Sequence, residues 1–203
     1  MNTTDRVWLK SYSKNIPHDI SIDQYPSLIG FISHNLKKCK DKPTYTCLIG
    51  SNRKTLTYGD VDRMSNAMAG YLQSLGLQKG DRVAIMLPNI VQYPVALFGV
   101  MRAGLVPVNT NPLYTGREIK HQFNDAGVKA VIIAENFAHE LEKVVKETGV
   151  KHIVTASIGG MFGGVKGFVI NTVLKFKGMV KKFNLPGAVK FSTAIKAGTG
   201  KKI

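Results

Sequence analysis

Val83-Ala84-Ile85-Met86-Leu87 is an unbroken apolar run, the pattern of a strand covered on both faces in a parallel sheet. Pro88-Asn89 breaks it, and apolar positions at Tyr93, Leu97, Val100 and Met101 then recur at helical spacing. Pro94 fits that helix only in its first turn, where a missing N–H costs nothing. Gly104 supplies a left-handed residue to end it, and Leu105 to Val108 reads as a second buried strand. The three pieces make one βαβ unit, with a crossover expected to be right-handed. Thr115-Gly116-Arg117-Glu118 has the spacing of a capping box. The helix behind it carries Ile119, Phe123 and Ala126 on one face and closes at Gly127. Lys129 to Ala134 is the third strand. The pattern predicts Val83–Leu87, Leu105–Val108 and Val131–Ile133 as neighbouring parallel strands, with helices near 90–102 and 116–126 packed outside.

Around this centre the periodicity is weaker. Residues 1–22 read as an irregular arm. Ser27 to Cys39 reads as a helix with Leu28, Phe31, Ile32 and Leu36 on one face. Thr44 to Gly50 and Lys54 to Thr57 suggest a hairpin around Ser51-Asn52-Arg53. Thr57 to Asp60 is a second capping box, opening a helix through Val61, Met64, Met68, Tyr71, Leu72 and Leu75. Asn136 is placed to cap a helix bearing Phe137, Leu141, Val144 and Val145 and ended by Gly149. His152 to Thr155 is a plausible fourth strand.

After Ser157 the texture changes. Gly159-Gly160-Met161-Phe162-Gly163-Gly164 reads as a flexible loop, and Val165 to Phe183 as an amphipathic helix. Its apolar face comprises Val165, Phe168, Val169, Val173, Phe176, Val180 and Phe183. Lys166, Lys175, Lys177, Lys181 and Lys182 lie elsewhere, and Ile170 and Leu174 fall on the polar side. Leu185-Pro186-Gly187 breaks the segment before a short helix through Phe191 and Ile195. The chain thus divides into an arm (1–22), an α/β subdomain (23–157), and a Gly-rich loop with a basic amphipathic segment (158–203).

Composition narrows the class. The 203 residues are 44% hydrophobic and 20% charged, ordinary globular values. A chain of this size buries about 70% of its unfolded surface. Lys166 interrupts the longest apolar stretch, so no transmembrane helix is expected. Asp5, Arg6 and Lys10 stand where a secretory signal would be apolar. Two cysteines, Cys39 and Cys47, build neither a disulfide framework nor a metal site. A cytoplasmic, reducing setting fits. The net charge of +15 is uneven: residues 151–203 hold ten Lys and no Asp or Glu, leaving +5 for the first 150. A basic segment of this kind attracts anions in general.

Few residues carry chemistry on their own. No Gly-x-Gly-x-x-Gly follows a strand, as a phosphate-binding turn requires. Gly198-Thr199-Gly200-Lys201-Lys202 shares two features with a Walker loop but lacks its upstream Gly and its following Ser or Thr. Asn109 and Asn111 stand at a strand's carboxyl end, where α/β sheets bind ligands, although Asn-x-Asn-Pro reads first as a turn. His34, His121 and His139 match no triad or metal spacing. Asp81-Arg82 reads as a local ion pair. The basic 165–183 segment admits three readings: a surface helix of the fold, a contact with an anionic membrane surface through Lys166, Lys175, Lys177, Lys181 and Lys182, or a nucleic-acid contact. Phe168, Phe176 and Phe183 sit on its apolar face, which speaks for burial or lipid and against stacking on bases.

The run Gly80-Asp81-Arg82-Val83-Ala84, Pro88-Asn89, Tyr93-Pro94-Val95-Ala96, Arg102-Ala103-Gly104 and Asn109-Thr110-Asn111-Pro112-Leu113-Tyr114, with Glu118, Gln122 and Asp125, resembles the N-terminal region of the adenylate-forming enzymes. Within that superfamily it is most similar to the bacterial long-chain fatty acid–CoA ligases. The opening Val7-Trp8-Leu9-Lys10-Ser11-Tyr12 and the stretch from Phe191 to Ala194 extend the likeness over nearly the whole chain. The resemblance implies activation of a long-chain fatty acid with ATP and Mg2+ to an acyl-adenylate, then transfer to coenzyme A. It implies a cytoplasmic enzyme peripheral to the membrane face, homodimeric at full length, with no nucleic-acid partner. The family's phosphate loop, ribose-binding acid, acyl tunnel and C-terminal catalytic Lys map onto no residue here. The chain resembles an N-terminal piece with scaffold and no catalytic, cofactor or metal residues. Another adenylating ligase, for aryl or amino acids, and a non-catalytic α/β module binding anionic surfaces stay open beside it.

Overall fold

Alternate residues of the central strand face opposite ways, and that alternation builds the molecule. In the computed structural model, which describes residues 6–203, Val83, Ile85 and Leu87 enter one apolar core while Ala84 and Met86 enter another. Met1 to Asp5 lie outside the described residues, Asp5 of the charged amino terminus among them. After single-turn helices at Val7–Ser11 and Ile22–Gln24 come helix α1 (Leu28–Lys38) and a two-stranded hairpin, β1 (Pro43–Ile49) and β2 (Asn52–Thr57). Helix α2 (Tyr58–Gln73) follows, then β3 (Arg82–Met86), α3 (Gln92–Arg102), β4 (Val106–Asn109), α4 (Gly116–Ala126), β5 (Val128–Ala134), α5 (Ala138–Val144) and β6 (His152–Ala156). The chain finishes with α6 (Gly164–Phe176), β7 (Val189–Lys190) and α7 (Phe191–Gly198).

The large sheet has the order β4-β3-β5-β6-β7, every neighbouring pair parallel. The three strands expected side by side are side by side. From β3 the chain steps to β4 and then returns past β3 to β5. With right-handed crossovers, that reversal puts α3 on one face and α4 and α5 on the other. The first face is filled by α2, α3 and α7 through Val61, Met68, Leu72, Val95, Val100, Phe191 and Ala194. The second is filled by Ile119, Phe123, Ala138 and Leu141. Both faces of β3, β5 and β6 are therefore dry, and their unbroken apolar runs follow from that. Strand β4, expected to be a second buried strand, is instead a partly exposed edge strand, with Val106 45% exposed, because no strand among the described residues lies beyond it.

Local signals place the helix ends. Thr57 Oγ1 accepts from the Asp60 N–H, and the Asp60 carboxylate accepts from the Thr57 N–H at 3.2 Å. Glu118 accepts from both the backbone N–H and the hydroxyl of Thr115, each at 2.8 Å. Gly104 and Gly127 take the left-handed conformation after α3 and α4, as expected. Arg102, nearly buried, ties α3 to α2 through Asp62 and Asn66.

Several expectations need correcting. Asn136 does not cap α5; it is buried and donates from Nδ2 to the Met179 carbonyl at 2.9 Å. The helix ends in a tight turn at Val145–Glu147, before Gly149. On α1 only Leu36 is buried, while Leu28 and Phe31 are exposed because α1 packs by its last turns. The hairpin turn is Gly50-Ser51, with Ile49 paired to Asn52. Asp81 and Arg82 form no ion pair. Asp81 accepts from the Gln78 N–H, and Arg82 donates to the Ala126 carbonyl at the end of α4, where the helix dipole favours a cation. The helix read over 165–183 stops at Phe176, where Lys177 and the left-handed Gly178 end it.

Two outcomes test this packing. A Cβ on Gly198 would lie 1.8 Å from the Ala67 carbonyl oxygen, so Gly198→Ala is expected to cost about 1–3 kcal/mol by forcing α7 off α2. The urea midpoint reads this, and an unchanged midpoint would show that α7 does not dock there. Glu140 accepts from the Gly116 N–H at the start of α4, and its carboxyl sits below the ordinary glutamate value, chiefly through its hydrogen bond with Lys143. A depressed folded-state pKa gives stability above the unfolded value that is lost as pH falls through the folded one. Glu140→Gln should therefore flatten the loss of stability on acidification below the ordinary glutamate range, as followed by thermal melts across pH.

Candidate functional site

In an open α/β sheet, ligands gather outside the carboxyl ends of the strands where the strand order reverses. Here that point lies between β3 and β5, at Pro88-Asn89 and Glu135-Asn136, with β6 next to it. Asn109 and Asn111, singled out from the sequence, follow β4 at the sheet edge instead. Asn111 Oδ1 accepts from the Leu113 N–H at 3.0 Å, which is a turn. Asn109 accepts from the Tyr93 hydroxyl at 3.0 Å, and its carbonyl accepts from Gln122 Nε2. Both serve the scaffold.

A cavity of about 40 Å³ sits at the carboxyl end, among Gln92, Glu135, Thr155, Ser157, Met161 and Lys190. That is room for a water or two, not for a nucleotide. Gln92 begins α3 on its buried side, 1% exposed. Its Nε2 donates to the Ser157 carbonyl at 2.9 Å, while its Oε1 has no protein partner. Asn171 on α6 completes the arrangement: its Oδ1 accepts from the Gly159 N–H at 2.8 Å, and its Nδ2 donates to Ser157 Oγ.

The glycine-rich stretch is thus not the flexible loop expected. Ile158–Met161 forms a helical turn packed onto α6, and a Cβ on Gly159 would meet the Gly167 carbonyl at 2.7 Å. Only Gly163 and Gly164, both at positive φ, act as a joint before α6. Sequence reading missed Gln92, Ser157 and Asn171. The available signal was a glutamine inside the apolar run Ile90-Val91-Gln92-Tyr93, a polar group that burial obliges to find a partner.

The remaining candidates separate. Gly198 to Lys202 follows the carboxyl end of α7, with the Lys201 N–H donating to the Gly198 carbonyl. A phosphate cradle needs a helix amino terminus, and this is the opposite pole. His34 and His121 are exposed, and His139 lies 3.3 Å from Glu140 with no nucleophile beside it. Among the described residues no group of three His, Cys, Asp or Glu could hold a metal ion, and no helix is long and apolar enough to cross a membrane. All five Lys named as candidate membrane contacts are exposed.

A doubly covered parallel sheet, reversing order at β3, with its carboxyl edge clamped by a polar network, defines an α/β scaffold of the kind on which nucleotide chemistry is built. The AMP-binding enzyme family model matches residues 34–164, and the chain belongs to that family. It is 45% identical over 195 residues to a long-chain-fatty-acid–CoA ligase of Salmonella typhimurium, covering 95% of this chain and 34% of that one. To a 4-coumarate–CoA ligase of Oryza sativa it is 33% identical over 70% of its length, covering 25% of that protein. The chain spans about a third of the length of the curated relatives it matches. Among solved structures, a long-chain-fatty-acid-CoA ligase from Archaeoglobus fulgidus superposes with a TM-score of 0.64 at 17% identity, covering 88% of this chain and 32% of that one. An anthranilate CoA ligase in complex with anthranoyl-AMP does so with a TM-score of 0.65 at 17% identity, covering 85% and 28%. The fold is the N-terminal part of the adenylate-forming fold.

Asn171→Ala is expected to free the Gly159 N–H and speed its hydrogen exchange. Losing both side-chain hydrogen bonds should cost about 1–3 kcal/mol. Unchanged exchange at Gly159 would mean that the clamp does not hold the turn.

Proposed function

We propose that this chain is the N-terminal scaffold of a long-chain fatty acid–CoA ligase. The complete enzyme would activate its acid with ATP and Mg2+, pass the acyl group to coenzyme A, and work at the cytoplasmic face of a membrane. The observation that carries the reading is the likeness to bacterial long-chain ligases, which extends over 95% of the chain and is stronger than the likeness to the coumarate ligase. The residues described contribute structure. They hold the sheet, clamp its carboxyl edge through Gln92 and Asn171, and leave a small cavity there.

No step of adenylation is assigned to a residue of this chain. Transfer of an adenylyl group needs fixed donors around the phosphate, and a metal ion clamping its oxygens supplies several kcal/mol. Lys201 and Lys202, exposed beyond α7, offer charge without fixed geometry, and geometry is what a reaction of this kind requires.

A chimaera tests the reading. Residues 1–203 joined to the remaining two-thirds of the Salmonella relative are compared with residues 1–203 alone in acid-dependent ATP–pyrophosphate exchange. The chimaera is expected to exchange with long-chain fatty acids in preference to coumarate, and the 203 residues alone to match a protein-free control. Preference for aryl acids, or exchange by the 203 residues alone, would contradict the reading.

A further inference from the structure

Helix α6 is apolar on both sides. At about 100° per residue, Gly167, Ile170, Asn171 and Leu174 share the inward face, where Gly167 and Ile170 are buried and Asn171 holds Gly159. The opposite face carries Val165, Phe168, Val169, Val173 and Phe176, with Thr172 its one polar member. The apolar face expected to meet either the protein or lipid is outside, and Ile170, read as polar-side, is inside. Phe176 is 95% exposed, Val165 78% and Phe168 72%, and Met179 just beyond is also exposed. A helix with apolar residues on two opposite faces has a second face to cover, and soluble chains rarely leave such a patch bare.

Charge selects the occupant. By the same spacing Lys166 and Lys175 flank the apolar stripe, one on each side. Lys177, Lys181 and Lys182 follow it, all five are exposed, and residues 151–203 contain no Asp or Glu. A second copy would set lysine against lysine. Nucleic acid would answer the charge but leave two phenylalanines and three valines wet. An anionic bilayer answers both, taking the apolar stripe below its headgroups while the lysine stems reach the phosphates. The helix is also held firmly: Asn171 and the Asn136–Met179 hydrogen bond fix its flank and the chain beyond it.

We propose that α6 is an interfacial membrane anchor, lying in the plane of an anionic leaflet with Val165, Phe168, Val169, Val173 and Phe176 inserted and Lys166, Lys175, Lys177, Lys181 and Lys182 at the headgroups. It deepens the peripheral-membrane part of the proposed function and rests on it, but not on the identity of the acid activated.

The test places a reporter in the stripe. Phe176→Trp is combined with Trp8→Phe, which removes the only native tryptophan. The protein is mixed with phosphatidylcholine vesicles with and without phosphatidylglycerol. On anionic vesicles the emission should shift to the blue and be quenched by brominated acyl chains, with binding about a hundredfold weaker on neutral vesicles and clearly weakened in high salt. Each Lys→Gln change at 177, 181 and 182 should weaken partitioning by about fivefold. Phe168→Ser with Phe176→Ser should abolish flotation without lowering the urea midpoint, since both side chains are exposed. Equal binding to neutral and anionic vesicles, or binding without bromolipid quenching, would overturn the proposal. A blue shift without vesicles that grows with protein concentration would assign the face to a second copy. A blue shift without vesicles in the chimaera alone would assign it to the rest of a ligase chain. Pyrophosphate exchange by the chimaera separates failure here from failure of the ligase reading.

Discussion

Burying a parallel strand on both sides obliges the chain to supply two layers of helix, and everything else in this molecule answers that demand. β3 cannot be half-covered, because Val83, Ile85 and Leu87 point one way and Ala84 and Met86 the other. The reversal of direction after β4 delivers the second layer without crossing the first. It also opens the carboxyl edge between β3 and β5. Folding and site placement are one event here. The strand order that dries the sheet also decides where a ligand-binding crevice could form.

That edge is then closed down rather than opened. Gln92 reaches across to Ser157, Asn171 holds Gly159, and glycines at 159 and 167 let two backbones touch. A buried or half-buried amide is costly unless partnered, so Gln92 and Asn171 favour one arrangement of the segment leaving β6. The same clamp seats α6 by its inner face and leaves its outer face bare. Membrane docking in the proposed form follows from how tightly the inner face is held.

Legibility in the sequence tracked how local each signal was. The runs at Val83–Leu87 and Val131–Ile133, the capping boxes at Thr57 and Thr115, and the helix-ending Gly104 and Gly127 act within a few residues, and each reads correctly. The resemblance to adenylate-forming enzymes, carried by motifs from Gly80 to Asp125, agrees with the family match over 34–164. What failed depends on distant partners. Arg82 has an adjacent Asp81 but donates from Nε to the Ala126 carbonyl, 44 residues on. Asn136 has a helix to cap and instead reaches Met179. On α6 both faces are apolar, so periodicity alone could not say which one meets the protein. Of the site residues, Gln92 carried one faint signal, its place inside an apolar run, and Asn171 none, because a lone amide has no motif.

Hydrogen exchange of residues 1–203 tests most directly whether the doubly covered sheet is the unit on which the rest depends. The slowest amides should be those of β3 and β5, Val83–Met86 and Ala130–Ala134, opening together with α2 and α4 at the free energy of global unfolding. Exchange of β3 and β5 that is faster than that of α1 and the β1–β2 hairpin would contradict it, because the sheet would then not be what holds the chain together.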